Sequence, residues 1–282
     1  MLTAILTLLI AMSSIQFGAS LAKGIFPVMG PMGATLWRLS FAALILALVQ
    51  RSWRFKLSFT QWRAVALYGG ALGLMNLTFY LSLARIPLGI AVALEFTGPL
   101  LLAVFTSKRL ADALWIAMAA LGLILIAPTD HKSSLDPIGM FFALTAGACW
   151  AGYIVYGKKV SSMLKPQVAS SHGMLMAAVV VWPVGFFLSE NSLWHPEVLA
   201  LTLAVAVFSS ALPYSLEMVA LKKIPTHTFS ILMSLEPALA TLMGWLILKE
   251  HLAPKELFAI VLIVAASVGV SLSTRSGTKA AN

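Results

Sequence analysis

The sequence predicts an all-α integral membrane protein of ten transmembrane helices, built as two inverted five-helix repeats over residues 1–130 and 131–282. Three observations carry that expectation. Apolar runs separated by short charged breaks recur about every twenty residues and nearly fill the 282-residue chain. Hydrophobic residues make up 60% of it and charged ones 10%, where a soluble protein carries about 25% charged. Landmarks of the first half return in the second at a nearly constant offset. A run of about 20 apolar residues, at about 1.5 Å rise each, matches the roughly 30 Å of a hydrocarbon core.

Taken in order, span one (4–22) has no basic region before it and reads as a membrane helix rather than a cleaved signal. Ser13, Gln16 and Ser20 form a polar stripe along it. Span two (30–50) carries Arg38. Span three (62–83) sets Asn76 and Tyr80 one turn apart, with Gly69 and Gly73 at a spacing that favours close helix packing. Span four (88–107) holds Glu95 and Pro99, and span five (110–127) has no ionisable residue between Asp112 and Ala127. Span six (137–157) presents Trp150, Tyr153 and Tyr156, with Gly147 and Ala151 as a second small-residue pair. The single cysteine, Cys149, excludes an intramolecular disulfide and reads as a packing residue. Span seven covers 168–188, and span eight (197–220) carries Ser210, Tyr214 and Glu217 around Pro213. Span nine (226–248) has Glu236 next to Pro237, and span ten (254–273) is polar only through Ser267 and Ser271. Pro99, Pro213 and Pro237 are expected to kink their helices, either as hinges or to shape a cavity.

Lys and Arg in the breaks set the orientation. With the N-terminus in the cytoplasm, thirteen fall inside (Arg51, Arg54, Lys56, Arg63, Lys108, Arg109, Lys158, Lys159, Lys165, Lys222, Lys223, Arg275 and Lys279) and five outside (Lys23, Arg85, Lys132, Lys249 and Lys255). That bias places both termini in the cytoplasm and accounts for the net charge of +9 without a nucleic-acid partner. Ile86-Pro87 and Pro99 recur as Ile224-Pro225 and Pro237 at an offset of 138, at which Asp112 also falls on Glu250; Lys23 falls on Lys158 at 135. Five is an odd number of spans, so the second half enters the membrane upside down. Inverted repeats are a transporter architecture with a site near the midplane.

Charges within a span cost about 2.5–3.5 kcal/mol each on insertion scales and call for a reason. Arg38, Glu95, Glu217 and Glu236 are such residues, with Glu95 and Glu236 central and Glu217 nearer an interface. Glu95 aligns with Met233, three residues before Glu236, so the two acids occupy comparable faces of opposite repeats. A carboxylate removed from water either takes a proton or needs a cationic partner. The plainer readings are that Arg38 clips helices together by pairing with one of these acids, and that Glu236 satisfies backbone groups freed by Pro237. Gln16, Asn76, Tyr80, Trp150, Tyr153 and Tyr214 complete the candidate site, each readable also as helix–helix glue.

Other classes fit poorly. His131, His172, His195, His227 and His251 are scattered and show no HExxH spacing, and no P-loop pattern occurs, so neither a metal-dependent enzyme nor an ATP-driven pump is indicated. An intramembrane carboxylate dyad is the remote enzymatic alternative. A passive channel is distinguished by saturable flux.

Segments 86–100 (IPLGIAVALEFTGPL), 211–218 (ALPYSLEM), 233–240 (MSLEPALA), 146–153 (AGACWAGY) and 18–23 (GASLAK) carry a family resemblance. Over about residues 10–273 the chain resembles the EamA-type branch of the drug/metabolite transporter superfamily, and within it the bacterial exporters of threonine and homoserine. The resemblance implies an inner-membrane exporter of small amino acids working by proton antiport, with no cofactor. It also implies a cavity lined by inner helices, with helices five and ten outside; their apolar sequences separately suggest that they support the repeats or meet another subunit, as in a homodimer. A substrate with ammonium and carboxylate suits Glu95 and Arg38. Export or uptake of another metabolite, such as an aromatic amino acid or a purine, is the alternative, with Trp150, Tyr153 and Tyr80 as stacking surfaces.

Overall fold

The computed structural model describes residues 2–106, 112–126, 135–187, 193, 195–223 and 233–280. Among them every regular element is helical. In chain order these are α1 (Leu2–Gln50), a 3-10 turn (Ser52–Arg54), α2 (Phe59–Leu83), α3 (Leu88–Thr106), α4 (Asp112–Ile126), α5 (Pro137–Met163) and α6 (Pro166–Phe187). There follow α7 (Pro196–Ala206), a π-helical turn (Val207–Ala211), α8 (Leu212–Lys223), α9 (Glu236–Leu248) and α10 (Pro254–Ala280). Among the described residues, five stretches are long and apolar enough to cross a membrane: Leu6–Gln50, Phe59–Leu83, Pro137–Met163, Pro166–Phe187 and Pro196–Glu217. Leu88–Leu102 and Glu236–Leu248 are shorter apolar helices.

Helix starts follow local chemistry. The side chains of Ser58 and Gln61 reciprocally cap α2: Gln61 N–H donates to Ser58 Oγ and Ser58 N–H to Gln61 Oε1. Asp136 accepts from Ile138 N–H at 2.8 Å ahead of Pro137 in the first turn of α5, and Pro196 opens α7 in the same way. Three expectations about breaks are corrected. Residues 23–29, read as a gap between spans one and two, are helical; the interruption narrows to Gly30 (φ 68°, ψ 166°), between Pro27 and Pro31. Glycine alone takes that φ without strain, and a following proline biases it away from helix. Pro213 does not sharply break span eight. Its ring would crowd the carbonyl of Ser209, and the chain instead widens into the π turn at Val207–Ala211. Pro237 lies in the first turn of α9, where no N–H is needed, so it starts that helix rather than kinking it.

Packing sorts the helices into a core and a flank. α1 packs on α2, α6, α7, α8 and α9; α2 packs on α5 and α6; α3 packs on α5, α9 and α10. Gly69 and Gly73 lie against Gly173, Met176 and Ala177 of α6, and Gly147 lies against Glu95 and Gly98 of α3, so the first small-residue pair and the glycine of the second mark close crossings. The main partner of α4 is α10: Gly122 meets Ala259 and Ile263, and Gly269 meets Trp115. The segments expected on one membrane face also meet each other. Lys23 pairs with Glu250 at 2.6 Å and donates to Ile86 O at 3.2 Å, and Arg85 pairs with Asp136 at 2.7 Å. At the opposite end Gln50 donates to Ser170 Oγ, and Trp62 meets the His172 ring edge-on. The breaks at 107–111, 127–134, 188–192 and 224–232 lie outside the described residues, and with them Lys108, Arg109, His131, Lys132, Glu190 and the Ile224-Pro225 and His227 landmarks.

Candidate functional site

Arg38, on the second limb of α1, is 2% exposed and reaches across to the π turn. Its Nη1 donates to Ser209 Oγ (3.0 Å) and Ser210 Oγ (2.8 Å), and its Nη2 to Asn76 Oδ1. Asn76 is held in that orientation because its own Nδ2 donates to Leu72 O at 2.8 Å. The guanidinium carbon also sits 4.4 Å from the centroid of the Tyr80 ring, a buried cation–π contact. The expected clip between Arg38 and a glutamate is not what forms: every side chain it donates to is neutral. The π turn explains the exchange, since widening the helix before Pro213 brings two consecutive serines to one guanidinium.

Arg38 Nε and Gln16 Oε1 are buried without a hydrogen-bond partner among the described residues. A buried donor and a buried acceptor left unmade are costly and ask for a ligand. Gln16 lies on the first limb of α1, whose Gly18 abuts Ser209.

The three intramembrane glutamates are all interior. Glu95 (α3), Glu217 (α8) and Glu236 (α9) are each 9% exposed or less, so each is enclosed by protein. Glu95 lies within electrostatic reach of Arg38, and Glu236 within reach of both Glu217 and Glu95. Four sequence-distant elements thus turn one cation and three acids toward a common interior. Pro99 has no N–H to return to the carbonyl of Glu95, and that carbonyl is where Gly147 of α5 makes its close approach.

Aromatic residues close the site toward α2 and α5. Trp150 meets Phe96 edge-to-face at 5.5 Å. Tyr153 stacks on Tyr68 at 5.0 Å between centroids, with hydroxyls 3.4 Å apart, and lies 6.5 Å from Tyr214. All ten residues expected at the site are therefore interior or line the interior packing. Sequence reasoning missed Ser209 and Tyr68 and treated Ser210 only as part of a stripe. Their signals were present: a serine pair just before an in-span proline, and a tyrosine eight residues before Asn76, two helical turns along the same face. Among the described residues no group of His, Cys, Asp or Glu is placed to hold a metal ion.

The arrangement resembles known proteins at two levels. Residues 137–272 match the EamA-like transporter family. The chain is 48% identical over 272 residues to the threonine/homoserine exporter RhtA of Salmonella typhimurium (strain SL1344), covering 96% of this chain and 92% of that protein. It is 47% identical over 276 residues to RhtA of Escherichia coli (strain K12), covering 98% and 93%. A more distant relative, the uncharacterized transporter YwfM of Bacillus subtilis (strain 168), is 26% identical over 170 residues, 60% of this chain and 57% of its own. A solved crystal structure shares the fold with a TM-score of 0.64 at 16% identity, covering 96% of this chain and 98% of its own. With a helical interior that gathers buried charge and near-half identity to these relatives over almost its whole length, the chain belongs to the EamA-like transporter family and is a membrane-embedded, multi-pass transporter rather than an enzyme.

Proposed function

We propose that this protein exports small amino acids of the threonine and homoserine class across the bacterial inner membrane by alternating access, driven by proton antiport. The observation that carries the substrate class is the 48% identity to a named threonine/homoserine exporter across 96% of the chain. The site supplies matching chemistry. A zwitterionic amino acid needs a cation for its carboxylate and an anion for its ammonium. Arg38 is a buried cation whose hydrogen-bond partners are neutral, with Nε still unmade. Glu95 is the acid within its field, and Gln16 Oε1 is an open acceptor for an ammonium or hydroxyl proton. Asn76, Tyr80, Trp150, Tyr153 and Tyr214 hold or wall these groups.

In this reading substrate enters from the cytoplasm, its carboxylate on Arg38 and its ammonium on Glu95. Release on the other side leaves Glu95 or Glu236 to take an external proton and carry it back, with Glu217 adding to the shared negative field. The chain forms ten spans as two inverted five-helix repeats, 1–130 and 131–282, with both termini cytoplasmic. Two findings support that layout: the family match covers residues 137–272, and Lys23 and Arg85, both assigned outside by charge, pair with Glu250 and Asp136 from the breaks beside the outside residues Lys249 and Lys132. Exposed apolar residues on α4 and α10, among them Leu121, Ile124, Phe258 and Val261, face lipid. That flank is also where a homodimer would form, and crosslinking in native membranes tests it.

Uptake of radiolabelled threonine and homoserine into proteoliposomes or inside-out vesicles, with and without an acidic interior, tests the function. Saturable accumulation that collapses with the pH gradient is expected, and Glu95→Gln is expected to abolish it while the protein remains folded. Normal gradient-driven flux in that variant removes Glu95 from the mechanism. Unlabelled aromatic amino acids or purines are expected not to compete; competition by either favours the alternative substrates.

A further inference from the structure

The ion pair between Lys23 and Glu250 ties together three segments distant in sequence. Lys23 Nζ lies 2.6 Å from Glu250 Oε1 and donates to Ile86 O at 3.2 Å; Leu88 N–H donates to Glu250 Oε2 at 2.9 Å. Both side chains are largely withdrawn from solvent, 26% and 15% exposed. Glu250 is aimed there by the turn that ends α9: Lys249 takes a left-handed conformation (φ 57°), and Glu250 N–H returns to Gly244 O at 3.1 Å. The segment so clamped, Ile86–Leu88, starts α3. Glu95 follows Leu88 by seven residues, about 10 Å along the helix axis at about 1.5 Å each.

Close helix contacts flank the clamp. Gly89 abuts Thr241 of α9, and Gly139 of α5 abuts Arg85 and Ile86. Beside Glu250 a cleft of about 410 Å³, lined in part by Trp245, His251 and Leu257, leaves the carboxylate room to swing away.

We propose that Lys23 and Glu250 form a latch that closes the non-cytoplasmic end of the transporter and positions the Glu95 helix. The latch must break for the interior to open outward. An ion pair suits this role: its partners sit on the two proposed repeats, so repeat motion separates them, whereas its backbone contacts to Ile86 and Leu88 pass the same motion to α3. This inference rests on the alternating-access reading but not on the identity of the substrate.

The chain carries its own reporter. Cys149 is the single cysteine, half-buried and packed against the same interior cluster as Trp150, Tyr153 and Tyr214. Purified protein reconstituted in one orientation is treated with a membrane-impermeant maleimide from the non-cytoplasmic side, and modification is read by mass. The wild type is expected to label slowly. Lys23→Met and Glu250→Gln are expected to label about tenfold faster, the scale of a typical conformational coupling, while Lys23→Arg keeps the pair and stays slow. Because Lys23→Met leaves the bond from Leu88 to Glu250 in place, it serves if Glu250→Gln does not fold. A second measurement uses Gly89→Cys with Thr241→Cys in a Cys149→Ser background. A Cβ at Gly89 would lie 3.1 Å from Thr241 Cβ and 3.0 Å from its Cα, so the two helices must part by a few tenths of an ångström to reach disulfide spacing; once oxidised, the pair should staple this end shut, stop turnover, and be released by reductant. Unchanged labelling in both charge variants, or full turnover by the stapled protein, overturns the latch. Faster labelling in the charge variants of a protein that moves neither threonine nor homoserine supports the latch and overturns only the substrate assignment.

Discussion

The crossing of α3 and α5 has almost no slack, and replacing Gly98 by alanine tests what that closeness does. A methyl group at Gly98 would overlap the carbonyl carbon and oxygen of Gly147 and come within 2.8 Å of its Cα; one at Gly147 would come within 2.5 Å of Glu95 O and 3.2 Å of Gly98 N. Every atom in the way is backbone, so no side-chain rotation relieves the overlap and the helices must separate. Overpacking of this kind costs about 1–3 kcal/mol. Alanine is also the better helix former, by up to about 1 kcal/mol, and a control isolates that effect: a methyl at Gly70 meets nothing within 4 Å. Gly70→Ala is therefore expected to be neutral to stabilising, and Gly98→Ala to fall about 2 kcal/mol or more below it. Equilibrium unfolding in mixed micelles measures the gap, and flux in proteoliposomes measures the consequence. Because parting this crossing also moves Gly147 away from the carbonyl of Glu95, transport should drop in Gly98→Ala even where most of the protein is folded. A Gly98→Ala protein as stable as Gly70→Ala, with wild-type flux, refutes the claim that this crossing positions Glu95.

Arg38→Met should abolish flux and destabilise the protein, because Ser209, Ser210 and Asn76 each lose a buried donor at about 1–3 kcal/mol per unsatisfied group. Arg38→Lys keeps the charge without the fork, so a raised KM with residual turnover is expected from concentration-dependent flux; wild-type KM would remove Arg38 from substrate recognition. Asp136 adds an acid-sensitive component to stability. Its hydrogen bond from the Arg85 guanidinium, with a second from Ile138 N–H, holds its carboxyl below the usual range. A depressed folded value means the stabilisation is complete above the unfolded value of about 3.9 and is lost as pH falls through the folded one. Thermal midpoints should therefore decline below about pH 4. Arg85→Met should flatten that decline, and an unaltered acid limb in this variant shows that the pair contributes nothing.

Much of the site was legible because a membrane makes polar residues conspicuous. Arg38, Glu95, Glu217 and Glu236 stand out in apolar runs, since each must be buried against protein to be tolerated. Helical spacing then collects Asn76 with Tyr80, and Tyr214 with Glu217, onto shared faces. Which partners they find was not legible. Periodicity says which face of a helix is polar but not which helix opposes it, so Arg38 was expected against a carboxylate and meets two serines and an asparagine instead. The serines reach it because a proline one turn later widens the helix locally, an effect that depends on where the strain can be relieved.

Composition and pattern alone determined that this chain is helical and lives in a bilayer, because unpaired backbone groups cannot face hydrocarbon and about twenty apolar residues suffice to cross it. They also determined which charged residues must be interior. Only the tertiary structure decided that Gly30 is the break in the first helical stretch, that Gly98 and Gly147 bring α3 onto α5, and that Lys23 meets Glu250 over the start of the Glu95 helix. Those outcomes depend on contacts between segments as far as 227 residues apart, where close packing and pairing geometry, rather than local propensity, select the arrangement.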